Sequence, residues 1–148
     1  MKAVVDASVL ACAFFPDEEG QKPAHALLAA HALGSATLLA PTLLPYELAN
    51  ALVKGLRRGR LSEQQAQSAL KLFDDLKITL VQVRLSDAVA LAKQFACSAY
   101  DAAYLALAKG EGLNLITADR KLYDAVAGEL PWVVRLEDWQ ARIPLRAE

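Results

Sequence analysis

Asp6, Glu47, Asp101 and Asp119 are spaced so that each falls at the end of an expected secondary-structure element. Carboxylates sharing one pocket repel each other and raise each other's pKa values unless a cation lies among them. Oxygen-only donors suit hard divalent ions, Mg²⁺ or Mn²⁺, and no soft ligand accompanies them to favour zinc or copper. Such an ion lowers the pKa of water, orients it and neutralises charge on a phosphodiester. The expected chemistry is therefore hydrolysis by metal-activated water, with no covalent intermediate. Each acid also has a structural reading. Asp6 and Asp119 each precede a helix and can cap it, Asp101 completes a Ser98-x-x-Asp101 capping box, and Glu47 in a first helical turn is favoured by the macrodipole. Their joint placement, not any single acid, points to a metal.

The elements that must position these acids are legible as alternating strands and helices. Residues 3–6 (AVVD) read as a buried strand, 7–14 as a short helix that follows at once, and 16–20 as a turn. Ala and Leu at helical spacing predict a helix over 23–33, with Pro23 in its first turn and Gly34 as the stop. A second strand covers 36–40 and ends at Pro41. Thr42 is placed to cap a helix running to about Arg58, with Pro45 tolerated in its first turn. Ser62 and Gln65 make a capping box for a helix ending near Leu76. Strands at 78–83 and 113–117 bracket helices over 85–95 and from 98 to 109. A short helix from Arg120 then precedes a last strand at 132–136. Strands that are continuously apolar and alternate with helices predict an α/β fold, its parallel sheet covered on both faces. Ligands of such sheets collect at the carboxyl ends of the strands. Asp6 ends the first strand and Asp119 lies just past the fourth, while Glu47 and Asp101 sit in first turns of helices.

A chain of 148 residues is one domain's worth, 1–148, without repeat or linker. With 55% hydrophobic and 22% charged residues it is globular rather than disordered. A net charge of -1 offers no global field for nucleic acid, so any polyanion must meet a local patch. Lys54, Arg57, Arg58 and Arg60 form the densest basic cluster. Glu47, Ala51, Lys54 and Arg58 share one helix face, which makes a track for phosphates leading to the acids. A solubilising helix end is the competing reading. Cys12 and Cys97 form no CxxC pair and suit a reducing cytoplasm. His25 and His31, six apart, do not share a helix face, and no apolar stretch is long enough for a membrane span.

The segments VVDASVLACAFFPDE, PTLLPYELANAL, SAYDAAYLALA and LITADRKLYDA resemble the four sequence blocks of PIN domains, in order and across nearly the whole chain. The resemblance is closest to VapC-type toxins of toxin–antitoxin pairs, which are small ribonucleases. It implies a three-layer α/β/α sandwich with a central, mostly parallel sheet. It also implies Asp6, Glu47, Asp101 and Asp119 as the catalytic, metal-binding acids, with Ser8 and Thr117 supporting them by hydrogen bonds. Asn50, one turn after the glutamate, is implied to help hold a metal-bound water or phosphate. An RNA substrate, a homodimer and a small antitoxin that blocks the site follow from the same resemblance. Rival readings fare worse. A haloacid-dehalogenase-like phosphatase needs a second Asp where Ser8 stands, a receiver domain needs an acidic pair and a late Lys, and no glycine-rich phosphate loop is present. A non-catalytic PIN-like module that binds RNA or protein is the alternative from another class.

Overall fold

Residues 1–143 are described by the structure, a computed structural model; positions 144–148 of the expected 1–148 domain lie outside the described residues. Five strands, β1 (Lys2–Val5), β2 (Thr37–Pro41), β3 (Thr79–Val81), β4 (Asn114–Thr117) and β5 (Val133–Arg135), form one sheet in the order β3-β2-β1-β4-β5. Every neighbouring pair is parallel, with Val4 of β1 opposite Leu39 on one side and Leu115 on the other. Ala3, Val4 and Val5 are all fully buried, which is why this central strand reads as an unbroken apolar run.

Helices α1 (Ala7–Phe14) and α2 (Gln21–Ala32) join β1 to β2, and α3 (Leu44–Arg57) and α4 (Glu63–Leu76) join β2 to β3. The chain returns across the sheet through α5 (Leu85–Phe95) and α6 (Ala99–Glu111) to β4, then through α7 (Arg120–Val126) to β5. Parallel crossovers are right-handed, so connections stepping in opposite directions land on opposite faces. The first four helices therefore cover one face and α5 to α7 the other. Contacts agree: α1 packs on α2 and α3, while α6 packs on α5 and lies across β1, β2 and β4. The expected α/β/α sandwich is the fold observed.

Local signals hold where nothing distant competes. Ser62 and Gln65 form both halves of their capping box, and Gly34 takes a φ of +85 at the stop after α2. Thr42 does not cap α3. Its N–H donates to the Val81 carbonyl at 3.1 Å and prolongs the β2–β3 ladder, so α3 starts after Leu43 with no side-chain cap. Strand β3 is shorter than expected because it is an edge strand that pairs only with β2. A 3-10 turn (Leu136–Asp138) and α8 (Trp139–Arg142) close the described chain, beyond what the sequence patterns anticipated. There the buried Trp139 donates its indole N–H to the Pro23 carbonyl at 3.1 Å and ties the tail to α2. Gly55 lets α3 lie against Phe15 and Leu61; a Cβ there would stand 2.4 Å and 2.2 Å from their side chains. No helix among the described residues is long and apolar enough to cross a membrane.

Candidate active site

Strand order reverses direction between β1 and β4, since β2 and β3 extend one way and β5 the other. The crevice at the carboxyl ends of this switch point is where open α/β sheets bind ligands. Asp6 follows β1 at once and caps α1, its Oδ1 accepting from the Ser8 N–H at 3.1 Å and from the Ser8 hydroxyl. Its Oδ2 accepts from the Thr117 hydroxyl at the end of β4. The two hydroxyls are themselves held: Ser8 Oγ accepts from the Ala118 N–H at 2.9 Å, and Thr117 Oγ1 from the Asp119 N–H at 3.0 Å. Asp119 caps α7 through Oδ1, which accepts from the Leu122 N–H at 3.1 Å. The N–H of Asp101, in the first turn of α6, donates to Ser98 Oγ at 3.0 Å. Asp101 does not complete the expected box: among the described residues its carboxylate accepts no hydrogen bond, unlike the full box at Ser62. Glu47, in the first turn of α3, accepts from the Tyr104 hydroxyl at 2.6 Å.

Burial is the largest influence on Asp6, which is 5% exposed, and raises its pKa to about 7. The Ser8 and Thr117 hydrogen bonds oppose that rise, while the charges of Asp119 and Asp101 add to it. Asp101 is likewise raised by burial and then by Asp119, against the pull of the Ser98 bond and of Lys121. Glu47 is raised by burial, lowered by the Tyr104 bond and raised by Asp101. Asp6 thus feels the charges of Asp119 and Asp101, and Glu47 that of Asp101, at one edge of the sheet. Among the described residues no three Asp, Glu, His or Cys side chains are grouped closely enough to hold a metal ion as they stand. The donor set nonetheless fits a hard divalent cation, being all carboxylate oxygen and short of positive charge. Both imidazoles are used elsewhere. His25 Nε2 meets the Ala13 carbonyl, and His31 accepts from the Leu38 N–H at Nδ1 and donates from Nε2 to the Leu76 carbonyl. Burial pushes the Cys12 thiol up to about 11.

Asn50 is exposed on α3 and lines, with Leu43, Tyr46, Glu47 and Tyr100, an open hollow of about 280 Å³. Lys54, Arg57 and Arg58 are exposed toward the end of α3. Arg60 departs from the expected phosphate track. It donates Nε to Asp17 Oδ2 at 3.0 Å and Nη2 to Asp17 Oδ1 at 2.9 Å and to Glu18 Oε1 at 2.8 Å, and it lies over the Phe15 ring at 4.4 Å. The helix ends before it and Gly59 turns left-handed at φ +69, so the helix-face reasoning does not extend to Arg60. Two residues near the acids escaped the sequence reading. Lys121 partly offsets the charge on Asp101, and Tyr104 is the partner of Glu47. Tyr104 had a signal: it is a phenol within an Ala/Leu run, one turn beyond Asp101, and a buried hydroxyl needs a partner.

A family model described as the PIN domain matches residues 3–128. Ribonuclease VapC3 of Pyrobaculum aerophilum is 40% identical over 126 residues, covering 82% of this chain and 92% of that protein. The crystal structure of PAE2754 from Pyrobaculum aerophilum superposes with a TM-score of 0.69 at 26% identity, over 99% of this chain and 100% of the other. With that match across most of its length, laid over the strand order and acid placement described above, the chain belongs to the PIN domain family.

Proposed function

We propose that this chain is a metal-dependent endoribonuclease of the VapC type, the toxin of a toxin–antitoxin pair, which hydrolyses RNA phosphodiesters. The observation that carries the reading is Asp6, buried at the switch point with its pKa raised by burial and further by the charges of Asp119 and Asp101, while Asp101 in turn raises Glu47. The 40% identity to a protein named Ribonuclease VapC3 supports RNA as the substrate class. These four acids would hold Mg²⁺ or Mn²⁺, which when bound supplies Lewis-acid activation of water and charge neutralisation at the phosphate.

The chain's own residues do the rest. Ser8 and Thr117 orient Asp6 and, by accepting the Ala118 and Asp119 N–H groups, keep the ends of β1 and β4 at a constant separation. Asn50 offers an uncharged amide in the hollow beside Glu47, suited to a phosphate oxygen or a water. Lys54, Arg57 and Arg58 continue along α3 to roughly 15 Å from Glu47 at the helical rise per residue, the span of a few nucleotides of backbone. Two further parts of the proposal are a cognate antitoxin that covers this edge and a homodimer. The homodimer is supported by the exposed apolar side chains Leu85, Val89 and Tyr100. A cytoplasmic setting, where RNA and a reducing environment coincide, fits the free Cys12 and Cys97.

The test is incubation of the purified chain with a mixed RNA panel in Mg²⁺ or Mn²⁺ and then in EDTA, beside Asp6→Asn. Cleavage that needs the metal and vanishes in Asp6→Asn is the expected result. Equal cleavage by Asp6→Asn would sink the metal-acid mechanism, and no cleavage under any metal condition would favour a PIN-like module that binds without cutting.

A further inference from the structure

Tyr104 is among the largest fully buried side chains, 1% exposed, on a helix whose buried face is otherwise Ala and Leu. It stands three residues after Asp101, so the two share one side of α6. Its hydroxyl donates to Glu47 Oε1 at 2.6 Å, and the backbone N–H of Ala7, next to Asp6, faces the phenol oxygen itself. One phenol on the α6 layer thus reaches past the sheet edge to two points on the opposite layer: the first turn of α3 and the β1–α1 junction. Glu47 has no other hydrogen-bond partner among the described residues. Without the phenol, its long side chain would be free to sample several rotamers.

We propose that Tyr104 is a positioning residue of the metal site, whose hydroxyl holds Glu47 Oε1 so that Oε2 is the oxygen presented to the cation. The inference rests on the metal-site reading of the four acids and adds a residue to it. The competing explanation is that Glu47 merely satisfies a buried phenol, which would matter for stability and leave cation binding alone. Ligand carboxylates held by a second hydrogen bond typically lose 10–100-fold in metal affinity when that partner is removed.

Tyr104→Phe removes only the oxygen, and the partly exposed Glu47 can take a water in its place, so the fold is kept. Mn²⁺ would be titrated into the purified, EDTA-stripped chain, with free Mn²⁺ read by electron paramagnetic resonance and the fold by circular dichroism. Wild type, Tyr104→Phe, Glu47→Gln and the double variant would be compared. The expected result is a Kd for Mn²⁺ raised about ten-fold or more in Tyr104→Phe, with no further rise when that change is added to Glu47→Gln. A Tyr104→Phe Kd within two-fold of wild type overturns the proposal while leaving the metal site standing. An equal loss in the Glu47→Gln background also overturns it, because Tyr104 would then not act through Glu47. Absence of Mn²⁺ binding by wild type removes the metal-site reading and this inference with it.

Discussion

Asp6→Asn should make the metal-free protein more stable at alkaline pH, not less. Asp6 has a pKa of about 7 in the fold against 3.8 unperturbed. At about 1.36 kcal/mol per pH unit, ionising it inside the protein costs on the order of 4 kcal/mol. Because the folded value lies above the unfolded one, the native state keeps a proton that the unfolded chain releases. Stability from this group is therefore complete below about pH 4 and is lost as pH rises through 7. Between pH 5 and 8 the linkage relation assigns roughly 2.5 kcal/mol of that loss. Asn caps a helix as well as Asp, can still accept from Ser8, and cannot ionise. In urea unfolding in EDTA, wild type should weaken from pH 5 to 8 by about that amount more than the variant. Asp101 and Glu47, raised by burial in both proteins, give each a similar background slope, and the mutual repulsion of Asp101 and Asp6 belongs to the wild-type difference being measured. Excess Mn²⁺ should then restore wild type at pH 8 and do nothing for Asp6→Asn. Identical pH slopes for the two proteins, or a variant weaker than wild type at pH 8 in EDTA, would refute the claim that a buried, cation-starved carboxylate stands at the end of β1.

Two other outcomes follow from the packing and the surface. Gly55→Ala should lower stability by about 1–3 kcal/mol, because the new methyl meets Leu61 and Phe15 with no room to retreat; a calorimetric Tm equal to wild type would show that α3 and Phe15 are not in close contact. Arg58→Ala in an Asp6→Asn background should weaken binding of a single-stranded RNA and reduce its log–log salt slope by about one, while Arg60→Ala should leave both unchanged. Equal losses for the two arginines would mean that Arg60 leaves Asp17 and Glu18 to meet RNA.

Much of the fold was legible because its signals are local. The apolar runs of β1 and β4 mark buried parallel strands, and the bounds of α1 and α5 match their helical spacing, as does the Ser62–Gln65 box at the start of α4. Asp6, Glu47, Asp101 and Asp119 stood out as a candidate set because open α/β sheets collect ligands at element ends, where the structure places all four, and the block resemblance marked the same residues. Errors came where a distant partner outbid a local preference. Thr42 could cap a helix, but its N–H was needed by Val81 across the sheet. Arg60 looked continuous with Lys54 and Arg58 until a left-handed Gly59 turned the chain toward Asp17.

The sequence by itself determined which residues are carboxylates, which segments are strands or helices, and that the acids lie at element ends, since these depend on side-chain type and on spacing within a few residues. Only the tertiary structure decided that β1 and β4 are neighbours, that Ser8 and Thr117 share Asp6, and that Tyr104 meets Glu47 from 57 positions away. The reason is that burial, hydrogen bonding and charge at one point in space are set by whatever the fold brings there. Asp6 is an ordinary acid in the chain and becomes an unusual one when the sheet closes over it.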